Sequence, residues 1–300
     1  MTPIYVIGSS NTDMVVQCER IPAPGETVLG GTFFMNPGGK GANQAVAAAR
    51  LGGEVTFIAN VGNDLFGKQS IEHFQKEGIN TSFISIDPNH ASGVALINVD
   101  KHGENIITVA PGSNGNLQPD QVEKALNSLP FPGIVLIQLE IPMPTIEFAV
   151  RLSKTKGHRF ILNPAPARSL SPEIYKNLFL ITPNESETEY LTGIVVTSQS
   201  SAEKAAKKFY EFGISHVVIT MGSKGAYLLS TEISKLISAP PVTAVDTTAA
   251  GDCFSGALAV RLAEGASLEQ AVSFAVRAAS LSVTRLGAQA SMPFRKELMG

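Results

Sequence analysis

The chain has 300 residues, of which 44% are hydrophobic and 16% are charged, and its formal net charge at pH 7 is -3. This content is enough for one large domain, or for a domain plus a small attachment, and it excludes a disordered chain. A charge so close to zero gives no broad basic field for nucleic acid or for an acidic membrane surface. We therefore expect small molecules as ligands, with no nucleic acid and no membrane as partner.

The sequence carries no sign of export. The longest apolar runs, such as residues 134–139, are much shorter than a membrane span, and the first predicted strand begins at Ile4, which leaves no room for a signal peptide. Cys18 and Cys253 are too few for a disulfide framework and suit a reducing compartment. These features predict a cytoplasmic protein.

The first predicted strand, residues 4–8, leads directly to Asn11 and Asp13. The carboxyl end of a strand is where open α/β sheets bind ligands, although either side chain could simply form a turn. Because the turn has one glycine, it lacks the GxGxxG pattern of a dinucleotide-binding protein. Residues 12–35 and 91–109 are predicted β segments outside the main sheet, and they could form either a lid over the site or a dimer surface.

A glycine-rich loop at residues 36–44 precedes a helix predicted over residues 45–51. Its glycines allow a ligand to approach the backbone, Lys40 adds a positive charge, and Asn43 offers both a donor and an acceptor. The loop is not a Walker A motif, because Gly41 rather than Ser or Thr follows the lysine. On its own, such a loop is more often a turn than a binding site.

From residue 118 onward, apolar strands alternate with amphipathic helices. This alternation indicates an α/β fold with a parallel sheet covered on both faces. Glu140 ends a buried strand, where solvation does not explain a carboxylate. The predicted strands are 55–61, 134–139, 160–163, 179–182, 217–220 and 226–230, and the predicted helices are 65–76, 118–127, 143–156, 183–191, 201–212, 253–264 and 268–282.

Two later loops are candidate ligand contacts. Gly222 and Gly225 could pass close to a flat ligand or a phosphate, and a tight turn explains them equally well. The irregular loop at residues 284–291 offers several backbone carbonyls, which would suit a hard monovalent cation.

The strongest indication of chemistry is residues 246–252, just before the helix predicted from Cys253. Asp252 falls in the first helical turn, beside backbone N–H groups that lack helical partners. A carboxylate there would repel a resting phosphate, so the arrangement makes sense with an alcohol between the two. Asp252 would take the proton of the alcohol while the N–H groups of Ala249, Ala250, Gly251 and Asp252 stabilise a transferred phosphoryl group. The structural alternative is an ordinary helix cap.

Six stretches considered together resemble the PfkB carbohydrate kinase family, in its ribokinase branch. They follow the family order along nearly the whole chain. The resemblance implies a three-layer ribokinase-like sandwich with a mostly parallel central sheet and a small β lid that also clasps a homodimer. It further implies a single kinase domain over residues 1–300, with the lid segments 12–35 and 91–109 inserted in it. The six stretches are residues 8–13, 38–44, 138–140, 163–167, 183–187 and 246–252.

The same resemblance implies ATP-dependent phosphorylation of D-ribose at its 5-hydroxyl. Two alternatives stay open at this point: a kinase for another pentose such as deoxyribose, and a sugar-binding regulator without turnover. Asp252 is implied as the general base, with an anion hole formed by Ala249, Ala250, Gly251 and Asp252. Sugar contacts are implied for Asn11, Asp13, Gly39, Lys40, Asn43, Glu140 and Asp252.

The resemblance also implies positions for the nucleotide and for two cations. Mg²⁺ would be organised largely through water by Glu187, together with Asn184. K⁺ would lie in the loop next to the anion hole, with Arg285 contributing its carbonyl. The nucleotide residues are Asn184, Thr220, Gly222, Ser223, Gly225, Gly251 and Val276, and the potassium residues are Asp246, Thr248, Ser282, Arg285, Gly287 and Ser291.

Three positions depart from the common pattern of that branch. Val276 stands where several members carry an imidazole near the adenine, which puts the nucleotide preference in doubt. Pro37 replaces an aromatic residue before the double glycine, which could alter one wall of the sugar pocket. Cys253 follows the predicted base where Thr or Ser is usual, and we expect it to be a small packed residue rather than a reactive thiol.

Overall fold

The computed structural model describes residues 1–130 and 132–299, which form thirteen β-strands and nine α-helices. The strands are β1 (Ile4–Ile7), β2 (Asn11–Gln17), β3 (Thr32–Gly38), β4 (Val55–Gly62), β5 (Asn80–Asp87), β6 (Gly93–Val99), β7 (Asn105–Ala110), β8 (Ile134–Ile137), β9 (Arg159–Leu162), β10 (Leu180–Ile181), β11 (Val217–Thr220), β12 (Ala226–Leu229) and β13 (Ser234–Ile237). The helices are α1 (Lys40–Arg50), α2 (Leu65–Lys76), α3 (Pro119–Ser128), α4 (Met143–Thr155), α5 (Pro172–Asn177), α6 (Glu185–Thr192), α7 (Gln199–Glu211), α8 (Ala250–Ala263) and α9 (Leu268–Ser282).

The central sheet runs in the order β13-β12-β11-β10-β9-β8-β1-β4-β5. Every neighbouring pair is parallel except those of β12, which is antiparallel to both β11 and β13. The strands predicted at 217–220 and 226–230 therefore pair antiparallel, at the end of a mostly parallel sheet. Because β1 pairs with both β8 and β4, the loops that follow these three strands open at the same edge.

Helices cover both faces of this sheet, since successive side chains of a buried strand point to opposite sides. In β1, Ile4 and Val6 pack into the core beneath α1, α8 and α9, whereas Tyr5 and Ile7 pack into the core beneath α3, α4 and α7. This arrangement confirms the predicted three-layer α/β fold. None of the helices formed by residues 1–130 and 132–299 has the length and hydropathy that a bilayer crossing requires.

A second, smaller sheet runs in the order β3-β2-β6-β7. Its strands come from the two segments that the sequence analysis set apart from the main sheet. The turn at residues 100–103 joins β6 to β7, which pair antiparallel. Asn11 and Asp13 lie within β2 and not in a free turn, so the sheet starts from the residues expected to bind ligand.

The start of one helix was predicted wrongly, and several short or partly buried elements, among them β5, were not predicted. Helix α1 begins at Lys40, whereas the sequence analysis placed the helix start at residue 45. The glycines that suggested a loop are needed for packing: a Cβ on Gly41 would lie 2.6 Å from the backbone carbon of Gly8. Strand β5, at the edge of the main sheet, was not predicted, because it is only partly buried and has no continuous apolar run.

Candidate active site

The site begins where β1 and β8 end side by side, with Ile7 opposite Ile137. Glu140 follows β8, and its Oε2 accepts hydrogen bonds from the Ser9 hydroxyl and, at 3.0 Å, from the backbone N–H of Lys40. A carboxylate at a helix N-terminus is electrostatically favourable. Glu140 therefore joins both strand ends to the start of α1.

Gly39 and Gly41 allow α1 to begin at this crowded place. Gly39 has φ of +88°, a left-handed conformation that favours glycine, and a Cβ on it would lie 2.7 Å from the backbone nitrogen of Asn11. This close approach of two backbone segments places Lys40 and the buried side chains of Asn43 and Gln44 in the first turns of α1, next to the site.

Asp252 lies in the first turn of α8 and is only 5% exposed. Its Oδ2 accepts a hydrogen bond of 2.9 Å from the Asn43 amide, and its Oδ1 accepts one of 2.9 Å from the Gln44 amide. Burial raises the pKa of Asp252, although Lys40 and the two amide hydrogen bonds act in the opposite direction. The predicted base is thus a buried carboxylate held by two neutral donors.

The start of α8 also presents unused backbone donors. Within the described residues, the N–H groups of Ala249, Gly251 and Asp252 have no hydrogen-bond acceptor, whereas the N–H of Ala250 donates to the Thr247 carbonyl at 3.2 Å. Ala249 has a left-handed backbone with φ of 59° at this helix start. Three of the four expected anion-hole donors are therefore free, and Ala250 departs from the expectation because its N–H closes the preceding turn.

Charged side chains from separate elements face the same space. Burial raises the pKa of Asp13 to about 6, and repulsion from Glu140 and Asp252 adds to this shift, while Lys40 opposes it. Attraction to Asp252 is the largest cause of the raised pKa of Lys40. The structure thus brings together four of the residues that the sequence analysis assigned to sugar binding.

Asn11 is fixed by a residue that the sequence analysis did not identify. The Asn114 amide donates to Asn11 Oδ1 at 2.8 Å, and Asn114 Oδ1 accepts from the backbone N–H of Ser10 at 2.9 Å. Because its oxygen is already used, Asn11 can offer its amide N–H groups to a ligand. Asn114 follows β7, more than a hundred residues away in sequence, so no local pattern could connect the two residues.

Two adjoining cavities open in front of α8. The smaller, of about 160 Å³, is lined by Lys40 and Asp252 together with residues of the central sheet edge. The larger, of about 830 Å³, is mostly apolar, and Val276 and Phe254 form part of its wall. Both cavities are lined by Asn184, Thr220, Thr247, Ala250 and Gly251.

All seven residues predicted to contact a nucleotide line the larger cavity. The wall also includes a segment that the sequence analysis passed over, with Pro240, Pro241 and Val242. The paired prolines are the one local signal in this segment. They exclude regular secondary structure, but they do not indicate a ligand. A small cavity lined by charged residues next to a larger, mostly apolar one suits a polar acceptor beside a nucleotide.

Asn184 and Glu187 form a reciprocal cap at the start of α6. The backbone N–H of Asn184 donates to Glu187 Oε2 at 2.9 Å, its side-chain amide donates to Glu187 Oε1 at 3.0 Å, and the N–H of Glu187 donates to Asn184 Oδ1 at 2.8 Å. Both residues line the smaller cavity. Burial raises the pKa of Glu187, against the effect of the Asn184 hydrogen bond and of Lys40.

The residues predicted to hold potassium come from the end of α9 and from two loops that contact each other. Asp246 Oδ2 accepts from the backbone N–H of Gly287 at 2.8 Å, and Asp246 Oδ1 accepts from the N–H and hydroxyl of Thr248 at 2.9 and 2.6 Å. Burial opposes its ionisation, yet these hydrogen bonds together hold the pKa of Asp246 below its usual value. The guanidinium of Arg285 pairs with Glu297 at 2.6 Å.

Cys253 is fully buried behind Asp252 and forms no disulfide. Burial raises the pKa of its thiol to about 12, so the thiol stays protonated near neutral pH. The position therefore has the packed, unreactive character that the sequence analysis predicted.

Comparison with known proteins identifies the family. The model of the pfkB family carbohydrate kinases matches residues 1–295, and the chain belongs to this family. A ribokinase from Haemophilus influenzae is 42% identical over 296 residues, which cover 99% of this chain and 97% of that protein. A deoxyribokinase from Salmonella typhi is 36% identical over 291 residues, which cover 97% of this chain and 95% of that protein.

A solved structure has the same fold over nearly the whole chain. It is that of Arabidopsis thaliana ribokinase complexed with ribose and ATP, with a TM-score of 0.90, 33% identity, and coverage of 99% of this chain and 97% of that one. These findings confirm the predicted family and fold class. As a member of the family, the protein is a phosphotransferase that acts on a sugar hydroxyl.

Proposed function

We propose that this protein transfers the γ-phosphoryl group of ATP to the 5-hydroxyl of D-ribose. The observation that carries the proposal is the position of Asp252, a buried carboxylate that lines the smaller of two adjoining cavities beside three free backbone N–H groups. The relatives that are ribokinases over nearly their full length support ribose as the acceptor.

In the proposed reaction, the ribose 5-hydroxyl lies between Asp252 and the γ-phosphorus. The oxygen forms a bond to phosphorus, its proton passes to Asp252, and the bond from the γ-phosphorus to the bridging oxygen breaks to release ADP. An ionised Asp is a weak base for an alcohol, which suffices because proton transfer can come late in a loose phosphoryl-transfer transition state. The N–H groups of Ala249, Gly251 and Asp252 would stabilise the charge on the transferred group.

Sugar recognition would rest on short polar groups, since a pentose presents hydroxyls on every side. Asn11 would donate from its amide, and the carboxylates of Asp13 and Glu140 would accept from sugar hydroxyls. Gly39 and Asn43 complete this set at the start of α1, and Lys40 faces the smaller cavity with a positive charge.

Mg²⁺ would accompany the nucleotide phosphates near Asn184 and Glu187. Glu187 uses both carboxylate oxygens in hydrogen bonds to Asn184, so direct coordination would compete with the helix cap for the same two oxygens. Mg²⁺ commonly keeps several of its waters, and contact through water leaves the cap intact. When bound, the ion would neutralise charge on the phosphates.

K⁺ fits the donor set of the loop next to α8. The set consists of an ionised carboxylate, Asp246, and of backbone and hydroxyl oxygens. The buried hydroxyls of Ser282 and Ser291 donate their hydrogens to the carbonyls of Ala279 and Ala288, which leaves oxygen lone pairs free. When bound, the cation would add positive charge beside the anion hole.

A coupled assay of ADP release tests the proposal and its nearest alternatives. We expect ribose-dependent turnover, with kcat/KM for 2-deoxyribose at least about tenfold lower, because a site that hydrogen-bonds a hydroxyl penalises its loss. Product analysis should place the phosphate on the 5-oxygen. A higher kcat/KM for deoxyribose would make this a deoxyribokinase, and tight ribose binding without ADP release would indicate a regulator.

The same assay tests the proposed roles of Mg²⁺ and K⁺ separately. Removing Mg²⁺ should abolish ADP release, and exchanging K⁺ for Na⁺ at constant ionic strength should lower kcat. Ribose affinity, measured by calorimetry, should change little on that exchange, because none of the proposed potassium residues lines the smaller cavity, which Lys40 and Asp252 line. Equal rates in the two salts would argue against the potassium site.

The second sheet supports a homodimer. It exposes a set of large apolar side chains that we call the lid apolar surface, and both of its edge strands, β3 and β7, contribute to it. Exposed apolar patches of this kind mark protein interfaces, and a second copy of the sheet would cover the unpaired edges. The surface consists of Phe33, Phe34, Met35, Leu96, Ile106, Ile107 and Val109.

We predict that Ile107→Lys converts the dimer to a monomer. Ile107 is 53% exposed and lies opposite Ile97 in the sheet, so a lysine would place a charge within the contact. Light scattering after size-exclusion chromatography measures the mass. Val195→Lys, at a residue 56% exposed outside this sheet, is the matched control and should remain dimeric. A wild-type protein that elutes as a monomer would contradict the proposed dimer.

We also propose that the protein is located in the cytoplasm. Cys18 and Cys253 are both free and buried, which suits a reducing compartment.

A further inference from the structure

Both carboxylate oxygens of Asp252 are held by amides from one helix. Asn43 and Gln44 are consecutive residues of α1, and each donates a 2.9 Å hydrogen bond to a different oxygen. Each of these amides is held in turn by a second one: Gln289 Nε2 donates to Asn43 Oδ1 at 3.1 Å, and Gln138 Nε2 donates to Gln44 Oε1 at 2.6 Å. The base therefore lies in the middle of a chain of amides.

The amide of Gln44 has one orientation that satisfies its neighbours. Its nitrogen donates to Asp252 Oδ1 and to Asn163 Oδ1, both at 2.9 Å, and its oxygen accepts from Gln138. An ionised carboxylate only accepts, so a reversed amide would set two oxygens against each other. Gln44 is fully buried, where an unsatisfied polar group is costly, so its neighbours fix its direction.

The other charged groups around Asp252 come from four different elements. Lys40 lies at the start of α1, Asp13 lies in β2, Glu140 follows β8, and Glu187 lies in α6. Three of the four are carboxylates, and their repulsion disfavours an ionised Asp252. The two amide donors on its oxygens, Asn43 and Gln44, oppose that effect. Asn43 already has a proposed role in sugar binding, whereas Gln44 has none.

We propose that Gln44 is a positioning residue for Asp252, which fixes the rotation of the carboxylate and stabilises its deprotonated form. The inference rests on the proposed function, because it assigns Asp252 as the base. Gln44 lines neither cavity and contacts Asp252 from behind, so it acts through the base and not on the sugar or the nucleotide.

Gln44→Glu is the first test. The variant keeps the size of the side chain but places a second carboxyl 2.9 Å from Asp252 Oδ1 in the wild-type geometry, so that the two groups share a proton. We expect the acid limb of the kcat profile to move up by at least about one pH unit, which lowers kcat on that limb by about tenfold or more, with recovery at alkaline pH. The KM for ribose should stay within about threefold, because the sugar contacts remain.

Gln138→Glu is the second test and leaves Gln44 in place. An ionised glutamate cannot donate to Gln44 Oε1, so the Gln44 amide should reverse and turn its oxygen toward Asp252. The acid limb should again move to higher pH. This variant keeps the proposal testable if Gln44→Glu does not fold, which circular dichroism and thermal unfolding would show.

Gln75→Glu is the control for the added charge. Gln75 is an exposed amide of α2 that bonds to Thr81, and its variant should keep the wild-type pH profile. If the Gln44 and Gln138 variants lose activity with an unmoved acid limb, Gln44 is only a packing residue and the proposal is wrong. Failure of the wild-type protein to phosphorylate ribose would instead overturn the proposed function.

Discussion

Asp252→Asn is expected to lower kcat by about 10³-fold while ribose still binds, because general-base catalysis contributes roughly 10² to 10⁴. The asparagine has the size of the aspartate but cannot take the hydroxyl proton. It also presents an N–H to one of the two amide donors that hold the wild-type carboxylate, which disturbs the orientation of the side chain. Steady-state ADP release gives kcat, and calorimetry gives ribose affinity.

Asp120→Asn is the matched control for this substitution. Asp120 is an exposed residue in the first turn of α3, so its variant changes an aspartate at a helix start without touching either cavity. Its kcat should equal that of the wild type. An Asp252→Asn protein that turns over near the wild-type rate would show that Asp252 is not the base.

Asp13→Asn should weaken ribose binding and stabilise the unliganded protein. An amide replaces a charged acceptor, and the loss of charge-assisted hydrogen bonds to sugar hydroxyls should raise the KM for ribose by about 100-fold. The free protein should gain stability above pH 6, because burial and the repulsion from Glu140 and Asp252 then act on a charge that asparagine lacks.

The direction of the pH effect follows from the raised pKa of Asp13, which is about 6 against an ordinary value of 3.8. Protonation therefore favours the folded state, and the wild type loses stability as pH rises from about 4 to about 6, with the full loss above that range. Unfolding temperatures at pH 4 and pH 7.5 measure the effect. We expect the advantage of the variant over the wild type to be larger at pH 7.5. An equal difference at both pH values would contradict the raised pKa.

The sequence predicted those parts of the site whose signals are local. Asp252 and Gly251 could be recognised because small residues, a carboxylate and a helix start occur within a few positions. The nucleotide residues could be recognised from short stretches that resemble a known family, and all of them line one cavity. Parallel strands alternating with helices likewise determine the layers, since each strand must bury both of its faces.

Contacts between distant residues could not be predicted in the same way. Gln44 and Asp252 are 208 residues apart, and Asn11 and Asn114 are 103 apart, so neither hydrogen bond leaves a pattern in the sequence. The start of α1 was misjudged because glycine usually disfavours a helix, whereas here Gly41 is needed where the helix meets the β1 loop. At Gly41, the requirements of tertiary packing outweigh the low helix propensity of glycine.

Helix α1 connects the C-terminal part of the chain to the reaction centre. At its far end, Arg50 pairs with Glu77 at 2.6 Å and donates to the carbonyls of Gln289 and Met292 at 2.6 and 3.2 Å. At its near end, Asn43 receives the side chain of the same Gln289. The turn after the proposed cation loop is thus hydrogen-bonded to both ends of α1. The orientation of Asp252 therefore depends on residues from the N-terminal and the C-terminal parts of the chain. We therefore expect a truncation or tag that displaces the last dozen residues to lower kcat more than it lowers ribose affinity.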